Sequence, residues 1–121
     1  SLSRLVKELS YADALYVSLK NFKELNLTVP SKIQFYMSAG KPILAELSGE
    51  SAKIIKESKS GVISFPGNKK LLLKNILKLY KLKKKHKLNK LGKNGYDFYK
   101  KNYSLNKVIF QIKKCINQLE Y

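Results

Sequence analysis

A chain of 121 residues and 13.9 kDa is long enough for one modest core and too short for two. Its 44% hydrophobic content excludes a disordered chain, and a single cysteine and a single histidine exclude an intrachain disulfide and a Cys/His metal set. The net charge of +17 is uneven: residues 1–68 carry 9 Lys/Arg against 6 Asp/Glu, and residues 69–121 carry 16 against 2.

Leu2, Leu5, Val6 and Leu9 recur at helical spacing behind Ser3, predicting a short helix over 3–11. It carries both charge signs and does not read as a secretory signal, and no apolar run approaches the roughly 20 residues needed to span a bilayer. A reducing, cytoplasmic setting is expected. "ADALYVSL" then predicts a buried strand near 14–19, and residues 20–30 form a polar connection ending at Pro30. Ser31 stands where an N-cap belongs, Ile33, Tyr36 and Met37 give the next helix its apolar face, and Gly40 stops it. "KPILAEL" predicts a second strand, with Pro42 at its start.

From Gly49 the run "ESAKIIKESKSG" predicts a helix closed by Gly61, with Ile54 and Ile55 inward. "VISF" is a third strand, "PGN" a turn, and Asn68 the cap of a helix over 69–84 whose inward face is Leu72, Ile76, Leu79 and Tyr80. A helix over 86–101 is expected to be interrupted at Gly92 and Gly95. Ser104 caps a last one with the stripe Val108, Ile112, Ile116 and Leu119. The order α-β-α-β-α-β-α-α-α implies an α/β fold, a partial Rossmann-like three-layer parallel sheet of about three strands with C-terminal helices over about 69–121. Three strands are few for such a sheet, and the first is expected at an unpaired edge. Residues 1–121 thus read as a single partial domain.

The densest punctuation is "TVPSKIQFYMSAGKPILAELSGE", residues 28–50. In an open α/β sheet ligands bind beyond the carboxyl ends of the strands, where helix N-termini present amides and the positive end of the dipole. The helix opening at Ser31-Lys32, with Lys32 a mobile charge beside it, and the helix entered at Gly49-Glu50 are two such termini. Capped helices far outnumber phosphate sites, so spacing alone favours two ordinary helix starts.

The stretches "YADALYVSLK", "LTVPSKIQFYMSAGKPILAELSGESAKIIKESKSGVISFPGNKKLLLKNI" and "LGKNGYDFYKKNYS" together resemble the donor-binding C-terminal half of bacterial family 4 glycosyltransferases of GT-B fold, of the capsule and O-antigen polysaccharide type. The resemblance is carried by Ala12-Asp13, Pro30-Ser31-Lys32, Tyr36-Met37, Ala39-Gly40-Lys41-Pro42, Gly49-Glu50, Gly61, Gly67-Asn68, Gly92, Asn94-Gly95 and Tyr103, in order along nearly the whole chain. It implies the later part of a GT-B nucleotide-sugar-binding domain, a UDP- or GDP-linked sugar donor, and transfer to a lipid-linked or saccharide acceptor held by a further domain. No metal or other cofactor is implied. The donor-binding residues it implies are Thr28, Val29, Ser31, Lys32, Gln34, Phe35, Gly49 and Glu50. Backbone amides at Ser31 and Lys32 would meet phosphates, Gln34 a ribose hydroxyl, and Glu50 the donor sugar. Aligned on "YMSAG", the family's second glutamate falls at Phe35 and its first near Leu27, so neither is acidic here. The opening strands of the family's six-stranded unit have no counterpart in these residues, and no catalysis by this chain alone is expected.

A second reading competes. Residues 69–101 hold 13 lysines and one aspartate, with Tyr80, Tyr96, Phe98 and Tyr99 interleaved. That pattern suits a polyanion, either an anionic inner membrane surface or nucleic acid, in a basic α/β module without chemistry. The membrane is preferred, because no nucleic-acid module is visible and part of the apolar content falls on one helical face. A merely solvated face, as AT-rich coding would produce, stands level with it. His86, among five lysines, reads as a surface residue, and Cys115 as apolar filler.

Overall fold

In the computed structural model the described residues are 3, 4, 7, 11–18, 29–103 and 105–119, with backbone alone for 29, 30, 105–108, 111 and 119. Three strands, β1 (Leu15–Ser18), β2 (Ile43–Glu46) and β3 (Gly61–Ser64), pair in parallel in the order β1-β2-β3. The helices are α1 (Val29–Ser38), α2 (Glu50–Ser58), α3 (Lys69–Lys84), α4 (Leu88–Asn102) and α5 (Leu105–Leu119). The chain is therefore α/β, with a three-stranded parallel sheet and C-terminal helices. Ser3, Arg4 and Lys7 are helical, as expected of the first segment, whose other positions up to Ser10 lie outside the described residues, as does the expected cap Ser104.

The alternation of side chains along each strand sorts the core. Leu15, Ile43 and Gly61 share one row and Val17, Ala45 and Ile63 the next row on the same face. On that face Val17, Ile43 and Ala45 pack with Ile33 and Met37 of α1, Ile55 of α2, Tyr99 of α4 and Ile112 of α5. The opposite face presents Tyr16, Leu44 and Val62, then Ser18, Glu46 and Ser64. There Leu44 and Val62 meet Leu79 and Leu82 of α3 and Leu88 and Leu91 of α4.

Several boundaries differ from the sequence expectation, each for a physical reason. Helix α1 opens at Val29, so Ser31 is a first-turn residue and not the cap; Pro30 is at home in a first turn, where its missing N–H costs nothing. Gly40 does close this helix region with φ 69°. Helix α2 ends at Ser58 with Lys59 in the left-handed conformation, its amide donating to the carbonyls of Ile55 and Lys56. Gly61 instead opens β3, where a Cβ would lie 1.9 Å from the Ile43 carbonyl oxygen.

Gly92 and Gly95 do not interrupt α4, which runs unbroken from Leu88 to Asn102. They are contact points: a Cβ on Gly92 would lie 2.0 Å from the Gly40 carbonyl oxygen, and one on Gly95 would lie 2.9 Å from Ser60 Cβ. Asn94 Nδ2 donates to the Lys59 carbonyl at 3.0 Å. Because Gly40, Lys59 and Ser60 lie just before β2 and β3, α4 closes the amino edge of the sheet. The carboxyl edge is left to the loops and helix starts.

The inward face of α3 is also rotated from expectation. Asn75 and Leu79 are buried, while Ile76 and Tyr80 are exposed. Asn75 can sit inward because its amide donates to the Ile63 carbonyl at 2.9 Å. On α5, Ile112 is buried and Ile116 packs beside it; the side chains of Val108 and Leu119 lie outside the described residues.

Candidate functional site at the carboxyl edge of the sheet

The connections leaving β1, β2 and β3 all start at one edge, and α1, α2 and α3 begin there, as parallel strands require. Of the residues expected to hold a donor, Thr28 lies outside the described residues and Val29 begins α1. Ser31 and Lys32 are 6% and 4% exposed. Val29 and Ser31 stand in the first turn of α1, whereas Lys32 is a residue further in. No acidic residue stands in the first turn of α1, where a carboxylate would suit the positive end of the dipole.

Lys32 is not a mobile charge at that terminus. Its ammonium leans along the helix to 5.8 Å from the centre of the Tyr36 ring, and Tyr36 in turn donates to the Tyr16 carbonyl of β1 at 3.4 Å. Burial pushes the Tyr36 hydroxyl up to about 12. Gln34 is half-buried, and Phe35 is buried in the core beside Tyr36. Phe35 is therefore a packing residue in this structure, at the position where the family resemblance has a glutamate.

The turn from β2 into α2 is set by backbone geometry. Gly49 has φ 80° and ψ −153°, a conformation that residues with a Cβ rarely hold, although a Cβ there would meet nothing within 4 Å. Its carbonyl accepts from Lys53 N at 3.1 Å and so starts the helix. Glu50 is exposed in the first turn, where its negative charge suits the dipole. For the same reason it competes with a phosphate, so this terminus favours hydroxyl donors over anions.

One group at this edge was not anticipated from the sequence. Across the strand ends Ser18, Glu46 and Ser64 stand in register, and all three are buried. Tyr16 donates its hydroxyl to Glu46 Oε1 at 2.7 Å, and Lys69, the first residue of α3, stands 3.5 Å from Oε2. Oε2 itself is buried, and the Gly67 backbone also hydrogen-bonds this carboxylate. The Tyr16 hydroxyl holds the Glu46 carboxyl below the usual carboxylate range, against the opposing effect of burial and with help from the Lys69 charge. The same bond raises the Tyr16 hydroxyl. The signal in the sequence was a lone carboxylate inside the apolar run "ILAEL", which a strand can accommodate only with partners.

Chemically, this edge offers helix-start amides, a buried carboxylate with a tyrosine partner and a second, exposed carboxylate. Among the described residues no group of three or more His, Cys, Asp or Glu is placed to hold a metal ion. No described helix is long and apolar enough to cross a membrane. His86 is exposed in the turn between α3 and α4, with φ 58°, and Cys115 is half-buried on α5. Among known proteins, no family model, curated protein or solved structure matches the chain.

Proposed function

We propose that this chain is part of the nucleotide-sugar donor-binding domain of a GT-B glycosyltransferase that moves a sugar onto a lipid-linked or saccharide acceptor in cell-surface polysaccharide synthesis. On this reading it binds the donor and does not complete transfer by itself. The observation that carries the reading is the placement of Val29–Ser31 and Gly49–Glu50, the two most heavily punctuated points of the sequence, at helix starts on one carboxyl edge of a parallel sheet. The motif series from Ala12-Asp13 to Tyr103 supports the choice of a sugar nucleotide over other phosphate ligands.

In this scheme the α1 amides at Val29 and Ser31 receive the diphosphate, and the dipole of a first turn without acids favours it. Glu50 turns its carboxylate to sugar hydroxyls, and Gln34 reaches a ribose hydroxyl. Phosphate repulsion by Glu50 then sets the order in which diphosphate and sugar lie along the edge. The enzyme would work in the cytoplasm, peripherally on the inner face of the membrane where lipid-linked acceptors reside, with nucleic acid no part of its function.

The test is an amide NMR titration of the chain with UDP, with GDP and with a short DNA oligomer. Shifts centred on Ser31, Lys32 and Gly49 with one nucleotide are expected, and identify the base. Shifts confined to residues 69–101 with DNA, fading as salt rises, would overturn the donor reading.

A further inference from the structure

Helix α3 turns two chemically different sectors to solvent. One is apolar: Leu73, Ile76, Leu77 and Tyr80 are 58%, 44%, 50% and 56% exposed, and at 3.6 residues per turn they fall on one strip. The adjoining sector carries Lys70, Lys74, Lys78, Lys81 and Lys85. A groove of about 610 Å³ runs there, between Lys74, Lys78, Lys81 and Lys85 on one side and Leu71 and Leu82 on the other. The third sector, with Asn75 and Leu79, faces the sheet.

Neither exposed sector is explained by the fold. Half-exposed aliphatic residues in an unbroken strip contribute little to the core. Lysines three and four apart repel, and α3 contains no acidic residue to relieve them. Among the described residues, the carboxylates that reach this helix go to other lysines: Asp13 to Lys83 at 2.7 Å and Glu46 to Lys69 at 3.5 Å. Among the described residues no carboxylate pairs with Lys74, Lys78, Lys81 or Lys85.

We propose that α3 docks the chain on an anionic lipid surface, lying in the interface plane with Leu73, Ile76, Leu77 and Tyr80 entering the acyl boundary and the lysine sector on the headgroup phosphates. The charge of the sector calls for an anion, and the apolar strip beside it selects among anions. Nucleic acid rewards aromatic platforms, and of the four apolar residues only Tyr80 is aromatic, with Lys84 already over its ring at 5.2 Å. A bilayer interface takes aliphatic side chains and lysines side by side, as an amphipathic helix in the interface presents them. Such docking is independent of donor binding at the sheet edge.

The test is co-sedimentation of the chain with vesicles of phosphatidylcholine alone and of phosphatidylcholine mixed with phosphatidylglycerol, with far-UV circular dichroism confirming the fold of each variant. Binding to the mixed vesicles and none to phosphatidylcholine is expected. The triple variant Lys74→Gln, Lys78→Gln, Lys81→Gln should bind about 100-fold more weakly, and the pair Leu73→Ser, Leu77→Ser about tenfold more weakly. Because the chain contains no tryptophan, Leu77→Trp reports insertion directly as a blue shift of emission on the mixed vesicles. A folded chain that ignores the mixed vesicles overturns the proposal. So does leucine-independent binding that a short DNA oligomer competes away, which would mark a plain polyanion surface, or an unshifted tryptophan in the bound state, which would mark a strip reserved for a protein partner.

Discussion

On one face of the sheet Val17, Ile43 and Ala45 disappear under α1, α2, α4 and α5, and the contacts are close enough that two glycines of α4 have no room for a methyl group. On the other face α3 covers Leu44 and Val62, while Glu46 is buried at the strand ends beside Tyr16, itself 39% exposed. The first face is a packed interior of the kind that fixes a fold, and it tolerates little. The second carries the buried carboxylate, the tyrosine that holds it and the helix with an apolar strip in water. The three short strands thus separate a tightly packed side from one that holds a buried carboxylate and an exposed apolar strip. That division makes mutational effects predictable from the face a residue belongs to.

The strongest way to break the comparison is at the first face. Gly92→Ala drives a Cβ to 2.0 Å from the Gly40 carbonyl, a backbone atom that cannot rotate away. Helix α4 must then lift from α1, and a loss of about 3 kcal/mol or more is expected by chemical denaturation, despite alanine's better helix propensity. A gain of about 1 kcal/mol, as Gly→Ala brings at an exposed helix position, would mean that α4 does not seal the amino edge.

The second face should instead respond to acid, and tyrosines of both faces to alkali. Glu46 is held below its ordinary value of 4.5, chiefly by the Tyr16 hydroxyl, so its contribution is present above that value and is lost as pH falls through the lower folded value. At the alkaline end the signs reverse. Tyr16, Tyr36, Tyr99 and Tyr103 all keep their protons longer in the folded chain, Tyr36 up to about 12, so their contribution is present below pH 10 and is lost as pH rises through the folded values. Tyr16→Phe is expected to cost about 1 kcal/mol at neutral pH, because the hydroxyl is partly solvated. It should also flatten the acid limb of a melting-temperature profile and leave most of the alkaline limb in place. An unchanged acid limb would show that Lys69, and not Tyr16, governs Glu46.

How much of this was legible in the sequence follows from the same physics. The three strands and the alternating helices could be read because each apolar run is short, β2 and β3 being bounded by proline and glycine and β1 marked by its aromatic and β-branched residues after Asp13. Gly40 was read correctly as a helix stop because a left-handed residue is what it supplies. Gly61, Gly92 and Gly95 were misread because a glycine needed for a close approach looks the same in sequence as one needed for a turn. At the candidate site, the helix starts near Ser31 and Gly49 were visible as punctuation, but the burial of Lys32 was not, since packing and not spacing decides it. Glu46 went unnoticed because its partners, Tyr16 and Lys69, are brought to it only by strand pairing and by the turn into α3.

Helix α3 is where the reading of periodicity failed most instructively, and it supplies the smallest effect and the finest test. Eight apolar residues, from Leu71 to Leu82, cover much of its circumference, so the face Leu72-Ile76-Leu79-Tyr80 fits a 3.6-residue repeat as well as the true one does. The true face is centred on Asn75 and Leu79, rotated by about 70°, because the Asn75 amide satisfies the Ile63 carbonyl and could do so only from inside. If that is what orients the helix, Ile76→Gln should change stability by no more than about 0.5 kcal/mol, whereas Leu79→Ala should cost about 2 kcal/mol or more. Equal losses at the two positions would restore the rotated face and bury the apolar strip. A neutral Ile76→Gln would leave Ile76 with no role in folding, and its apolar side chain then needs an explanation outside the fold.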